Sequence, residues 1–123
     1  MRTMWIGAAG FLGAITRYRV DRWITYRMKG SFPWGTLLVN LTGCFILGLL
    51  LSVFAQRLAP NSDLRAALTV GFVGAYTTFS ALAYQTLTLS ENGNIDLAIL
   101  NMLASLVPGV AAVWLGTLIG RSF

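Results

Sequence analysis

The sequence predicts an all-α integral membrane protein with four transmembrane helices per subunit, the third broken near its middle. The composition is 56% hydrophobic and 11% charged with a mean hydropathy of +0.70, where soluble domains carry roughly 25% charged residues. Three stretches, residues 30 to 56, 66 to 90 and 97 to 120, contain no charged residue at all. Each is long enough to span the hydrocarbon core, which takes about 20 apolar residues. The connectors between them are short, so residues 1–123 form a single transmembrane domain with little chain left for anything outside the bilayer.

The first helix is expected over residues 3 to 26. Its uncharged run, residues 3 to 16, is too short to cross, so the helix must continue past Arg17, with the arginine snorkelling to the interface or paired inside the protein. An arginine followed by an apolar run also suits a signal peptide, but three further spans follow and no cleavage site of small residues is evident. The second helix, residues 33 to 55, starts at Ser31-Phe32-Pro33, where proline is tolerated in a first turn. The third, residues 66 to 90, follows the turn chemistry of Ala59-Pro60-Asn61-Ser62-Asp63. Glu91-Asn92-Gly93-Asn94 then turns the chain into the fourth, residues 95 to 120.

Within the third helix, Gly71-Phe72-Val73-Gly74-Ala75-Tyr76-Thr77-Thr78-Phe79-Ser80 sets glycines, hydroxyls and aromatics where continuous Leu and Val are expected. Backbone groups released inside hydrocarbon cost several kcal/mol each unless satisfied. A break over residues 71 to 80 therefore points to a cavity or an ion.

Several function classes are excluded. There is no histidine and a single cysteine, Cys44, which removes intrachain disulfides, His- or Cys-built metal sites and imidazole acid–base chemistry. The net charge of +5 sits beside membrane segments, where anionic lipid head groups explain it better than nucleic acid. With four spans, Arg2, Arg57, Arg65 and Arg121 fall on one side, and Arg19, Arg22, Arg27 and Lys29, with Arg17 at the interface, on the other. Orientation follows the Lys/Arg bias of short loops, and this balance leaves almost none. Either one arginine or the first helix decides the orientation, or the chain has dual topology and two opposed copies form an antiparallel dimer. Gly7, Gly10, Gly13, Gly43, Cys44 and Gly48 allow close backbone approach, within a subunit or between two.

No Asp, Glu or Lys falls in the central part of the second, third or fourth helix, and the first has no acid before Asp21. A small proton-coupled exporter needs an ionisable carboxylate at membrane depth, so that alternative is poorly supported. Neutral donors are present instead. Asn40 stands one turn after Thr36 on the second helix, and Thr77, Thr78 and Ser80 follow the glycines of the third. Asn101 and Ser105 make an i, i+4 polar pair on the fourth, with Gly109 next on that stripe. Asn40 and the hydroxyls also admit structural readings, as a helix–helix hydrogen bond and as bonds back to carbonyls four residues earlier. Phe79 sits among the hydroxyls; it is either an ordinary hydrophobe or a ring whose positive edge faces an anion. Amide and hydroxyl donors with ring edges suit a small, strongly hydrated anion.

Trp34-Gly35-Thr36 followed by Val39-Asn40, the Gly71/Gly74 run into Thr77-Thr78-Phe79-Ser80, and Gly13-Ala14-Ile15-Thr16-Arg17-Tyr18 together resemble the fluoride channels of the Fluc/CrcB family, over essentially the whole chain. The resemblance implies passive, fluoride-selective export across a prokaryotic plasma (inner) membrane, and no enzymatic activity. It also implies a dual-topology homodimer with two antiparallel pores lined by both subunits. Asn40 and Phe79 match pore positions, with Thr78, Ser80 and Ser105 as further contributors. A central sodium ion would be held by backbone carbonyls of Gly74 and Thr77, with no organic cofactor, and Arg17 matches the family's first-helix arginine. The departures are Ala81-Leu82-Ala83 where the family continues Thr-Phe-Ser, so that Leu82 replaces the second phenylalanine, and Gln85 in place of an acid. Asn101 stands where a tyrosine is common and Gly109 where a serine occurs. These departures keep open a heterodimer in which this chain is one subunit.

Overall fold

The computed structural model describes residues 1–56 and 60–123, and all regular structure among them is helical. Arg57 of the charge count and Ala59 of the expected turn lie outside the described residues. The elements are α1 (Arg2–Arg27), α2 (Trp34–Gln56), α3 (Ser62–Ala66), a π-helical segment (Ala67–Val73), α4 (Gly74–Tyr76), α5 (Phe79–Glu91) and α6 (Ile95–Ser122). Elements α3 to α5 together are the expected third helix. Among the described residues three stretches are long and apolar enough to cross a membrane: Trp34–Gln56, Ser62–Glu91 and Ile95–Ser122. α1 is a helix of the expected extent, 26 residues or roughly 39 Å, but Arg17, Arg19, Asp21, Arg22 and Arg27 interrupt its second half. Two of these arginines lie over aromatic rings one turn earlier, Arg22 over Tyr18 at 5.7 Å and Arg27 over Trp23 at 5.3 Å.

The turns follow from local chemistry. Asn61 caps α3, its Oδ1 accepting from the Leu64 N–H at 2.8 Å, and Asp63 places an acid in the first turn. Arg2 of α1 fastens this corner, donating to Asp63 Oδ1 at 3.0 Å and to Ser62 Oγ at 2.6 Å. α5 ends in a Schellman turn: the Gly93 N–H donates to Ser90 O at 3.1 Å and the Asn94 N–H to Leu89 O at 2.9 Å. Gly93 is at φ +81, which explains the glycine in the Glu91–Asn94 turn.

Small residues bring the rods together. On α2 and α6, Gly48 lies against the Val113 carbonyl, Gly116 against the Phe45 carbonyl, and a Cβ on Gly120 would stand 2.9 Å from the Leu49 carbonyl oxygen. Bilayers offer helices no hydrophobic drive to associate, so such backbone contact has to supply it. Gly13 of α1 lies against the Phe72 carbonyl, and a Cβ on Gly71 would come 2.7 Å from the Ile6 carbonyl oxygen. Gly13, Gly43 and Gly48 are thus used within the subunit, whereas Gly7 has nothing within 4 Å.

The break is narrower than the sequence suggests. The expected interval of 71 to 80 contains a π-helical stretch, a short α-helical turn and only two extended residues, Thr77 (φ −81, ψ 158) and Thr78 (φ −151, ψ 119). Gly71 serves helix crossing and not the interruption.

Candidate functional site

The interruption at Thr77–Thr78 is held open by α2. Asn40 Nδ2 donates to Thr78 O at 3.0 Å while the Thr78 N–H donates to Asn40 Oδ1 at 2.8 Å, so one side-chain amide satisfies both backbone groups of the extended residue. In an unbroken helix that N–H would bond to the Gly74 carbonyl; here it is diverted. Thr77 folds back, its N–H and Oγ1 both donating to Val73 O at 3.0 and 3.1 Å. On the same stretch of α2, Thr42 Oγ1 pairs with the Tyr76 hydroxyl at 2.9 Å, and Gly43 makes room for the Thr77 methyl and the Tyr76 ring. Thr78 Oγ1 then caps α5 by accepting from the Ala81 N–H at 3.3 Å, and pairs with Ser80 Oγ at 3.3 Å.

The result is two helix ends facing each other across the break. The carbonyl end of the rod finishing at Tyr76 is the negative pole, and the N-terminus of the 13-residue α5 is the positive one. Carbonyl oxygens at the first suit a hard cation; N–H groups and hydroxyls at the second suit an anion.

Of two clefts, one opens beside this junction. The larger, of about 350 Å³, is bounded by Arg17, Tyr18 and Asp21 of α1, by Thr36 and Val39 of α2, and by Thr78, Ser80, Ala81 and Gln85. The other, of about 280 Å³, lies toward the connectors between Ser31, Pro33, Asn92 and Asn94. Gln85 lines both. Its Nε2 donates to Thr36 Oγ1 at 2.8 Å, and its Oε1 is buried without a partner among the described residues. Thr36 and Asn40, one turn apart on α2, therefore grip α5 and the break at two successive points.

Asn40, Thr78 and Ser80 are brought together, and Arg17 lines the cleft with Thr78 and Ser80. Phe79 does not point into the subunit; it is 81% exposed, and Gly74 is exposed as well. Leu82 is half-buried, with its carbonyl accepting from Thr86 Oγ1 at 2.8 Å. Ser105 is apart from the Asn40 group, on α6, its Oγ buried and unpartnered among the described residues. Its i−4 neighbour Asn101 is almost wholly buried at 1% exposure and donates to Thr86 Oγ1 at 3.0 Å, tying α6 to α5. Among the described residues no group of three or more His, Cys, Asp or Glu side chains converges. Asp21, which the sequence did not single out as a site residue, also lines this cleft.

The family described as "CrcB-like protein, Camphor Resistance (CrcB)" matches residues 4–117. Similar full-length proteins include a "Fluoride-specific ion channel FluC" of Acidobacterium capsulatum, 42% identical over 98% of this chain and 97% of that protein. A protein of the same name from Magnetococcus marinus is 43% identical over 98% of both chains. "Fluoride-specific ion channel FluC 2" of Moorella thermoacetica is 43% identical over 99% of this chain and 98% of its own.

Proposed function

The chain belongs to the CrcB family, and from that membership together with the geometry of the helix break we infer that it is a fluoride-specific ion channel and not an enzyme. The observation that carries the mechanism is the reciprocal Asn40–Thr78 pair, which keeps a helix open at its middle beside a cleft holding Arg17 and the hydroxyls of Thr78 and Ser80. Fluoride sheds water reluctantly, so a pathway needs replacement donors that are neutral enough to release it. Thr78 and Ser80 hydroxyls, the second N–H of the Asn40 amide and the free N–H groups opening α5 are such donors. Arg17 raises the anion concentration at the entrance without sitting at the break.

The proposed pore passes Asn40, Thr78, Ser80 and Phe79, with Leu82 and Ser105 further along. The outward exposure of Phe79 and Gly74 favours a second copy covering this face, so that pore residues of one subunit complete those of the other. The even division of Lys and Arg favours an antiparallel, dual-topology homodimer over a heterodimer. In it α1, packed against α2 and the π-helical segment, is the fourth crossing.

A sodium ion at the centre suits the donor set, because carbonyls of Gly74 and Thr77 at a negative helix end are hard oxygen ligands and the Thr78 N–H that would cover Gly74 is taken by Asn40. When bound, the ion supplies positive charge that offsets repulsion between anions. The placement is a multi-pass protein of a prokaryotic inner membrane. Fluoride enters cells as neutral HF and ionises, and an inside-negative potential expels it with about 2.3 kcal/mol per charge per 100 mV, so no energy coupling is needed.

Purified protein in liposomes under a potassium/valinomycin diffusion potential should release trapped fluoride. Substrate-driven proton flux would instead indicate an exporter, and efflux seen only on coexpression with a homologous subunit would indicate a heterodimer.

A further inference from the structure

An anion cleft has no evident use for a carboxylate, yet Asp21 lines this one, on the same side as Arg17, Thr78 and Ser80. Arg17 and Asp21 are one helical turn apart on α1 and so face the same way. They do not neutralise each other by contact, since the ion pair found within 4.0 Å among the described residues is Arg2–Asp63, at the opposite end of α1. Asp21 also packs against the start of α2. Gly35, at the start of α2, lies directly against its carboxylate; a Cβ there would collide with Asp21 Oδ1 and stand 2.7 Å from the Asp21 carbonyl oxygen and from Thr25 Oγ1. The positive end of α2 faces the acid from one side and Thr25 Oγ1 donates to Oδ1 at 3.5 Å from the other. Arg22 is outside the lining, its guanidinium over the ring of Tyr18, itself a lining residue.

We propose that Asp21 is a fixed counter-charge at the cleft mouth that offsets Arg17, so that fluoride is drawn in without being held there. The inference rests on the channel reading above. A single arginine in a partly dehydrated cleft attracts an anion strongly enough to slow its departure, and conduction needs binding weak enough to leave. Asp21 subtracts from that attraction at a distance set by one turn of α1 and by the Gly35 recess. It acts by field and not by touching the ion, which makes it a positioning residue.

The test is initial fluoride efflux against fluoride concentration in liposomes, for the full chain and its variants. Asp21→Asn keeps the shape and the Thr25 hydrogen bond but removes the charge. It should lower the half-saturating fluoride concentration by about two- to fivefold, as one charge acting over roughly 8 Å through partly screened surroundings would. The shift should shrink as an impermeant salt is added, and Asp21→Glu should keep the wild-type value. Arg17→Gln should move the half-saturation the other way, with Arg17→Gln/Asp21→Asn returning near wild type. An unchanged or raised half-saturation in Asp21→Asn, or a shift that Asp21→Glu shares, overturns the proposal, because a residue that merely braces α2 would move yield and maximal rate but not this split. Should Asp21→Asn fail to assemble, Asp21→Ser carries the same expectation. Absence of flux from the wild type sinks the channel reading itself, whereas wild-type flux with an unshifted Asp21→Asn sinks this inference alone.

Discussion

At the scale of single residues, Asn40 does two jobs with one amide. It satisfies the N–H and C=O of Thr78, which would otherwise be unpaired backbone inside a membrane, and it leaves an N–H over for an ion. Asn40→Leu strands both groups at about 1–3 kcal/mol each, so fluoride flux should fall at least about tenfold and the detergent-solubilised protein should melt at a lower temperature. Phe79 and Leu82 separate by a different measurement. Phe79→Ile should abolish flux, since the ring edge goes and the methyls that replace it attract no anion, whereas Leu82→Phe should leave flux equal or raise it. The shared face of Thr36 and Asn40 was legible in sequence as an i, i+4 polar pair, whereas their partners, Gln85 and the Thr78 backbone, were not. Asp21 and the buried Oε1 of Gln85 were not, because which way a residue near a helix end points is decided by the neighbouring helix, here by Gly35 and Thr36 of α2.

At the scale of elements, the four helical stretches follow from charge-free runs bounded by turn chemistry, and the observed ends differ from expectation by only a residue or two for α1, α2 and α6. The break was legible as a region but not as a position. Glycines and hydroxyls marked residues 71 to 80, yet Gly71 accommodates α1, and the interruption falls at Thr77–Thr78 because Asn40 captures Thr78 from another helix. Local sequence cannot report a tertiary hydrogen bond. The glycines yield a paired prediction: Gly116→Val forces the Phe45 carbonyl away and should prevent monodisperse assembly on gel filtration, whereas Gly7→Val, with nothing within 4 Å, should assemble normally. Gly93→Ala should assemble but melt lower, since a Cβ at φ +81 costs about 1–2 kcal/mol.

At the scale of the whole molecule, one subunit leaves Phe79, Gly74 and many large apolar side chains uncovered, as expected of a surface shared between lipid and a second copy. If carbonyls of Gly74 and Thr77 from two copies hold sodium, replacing sodium by a large organic cation on both sides should reduce fluoride flux, and restoring sodium should recover it. Charge balance, not any contact within the subunit, is what argues for the opposed arrangement. The most direct measurement of the central claim is fluoride efflux from liposomes containing only this protein, driven by a potassium/valinomycin potential, beside a matched chloride experiment. Rapid fluoride release, chloride retention and loss of the fluoride signal in Asn40→Leu are expected. Retention of fluoride by the wild-type liposomes, or equal release of chloride, would contradict it.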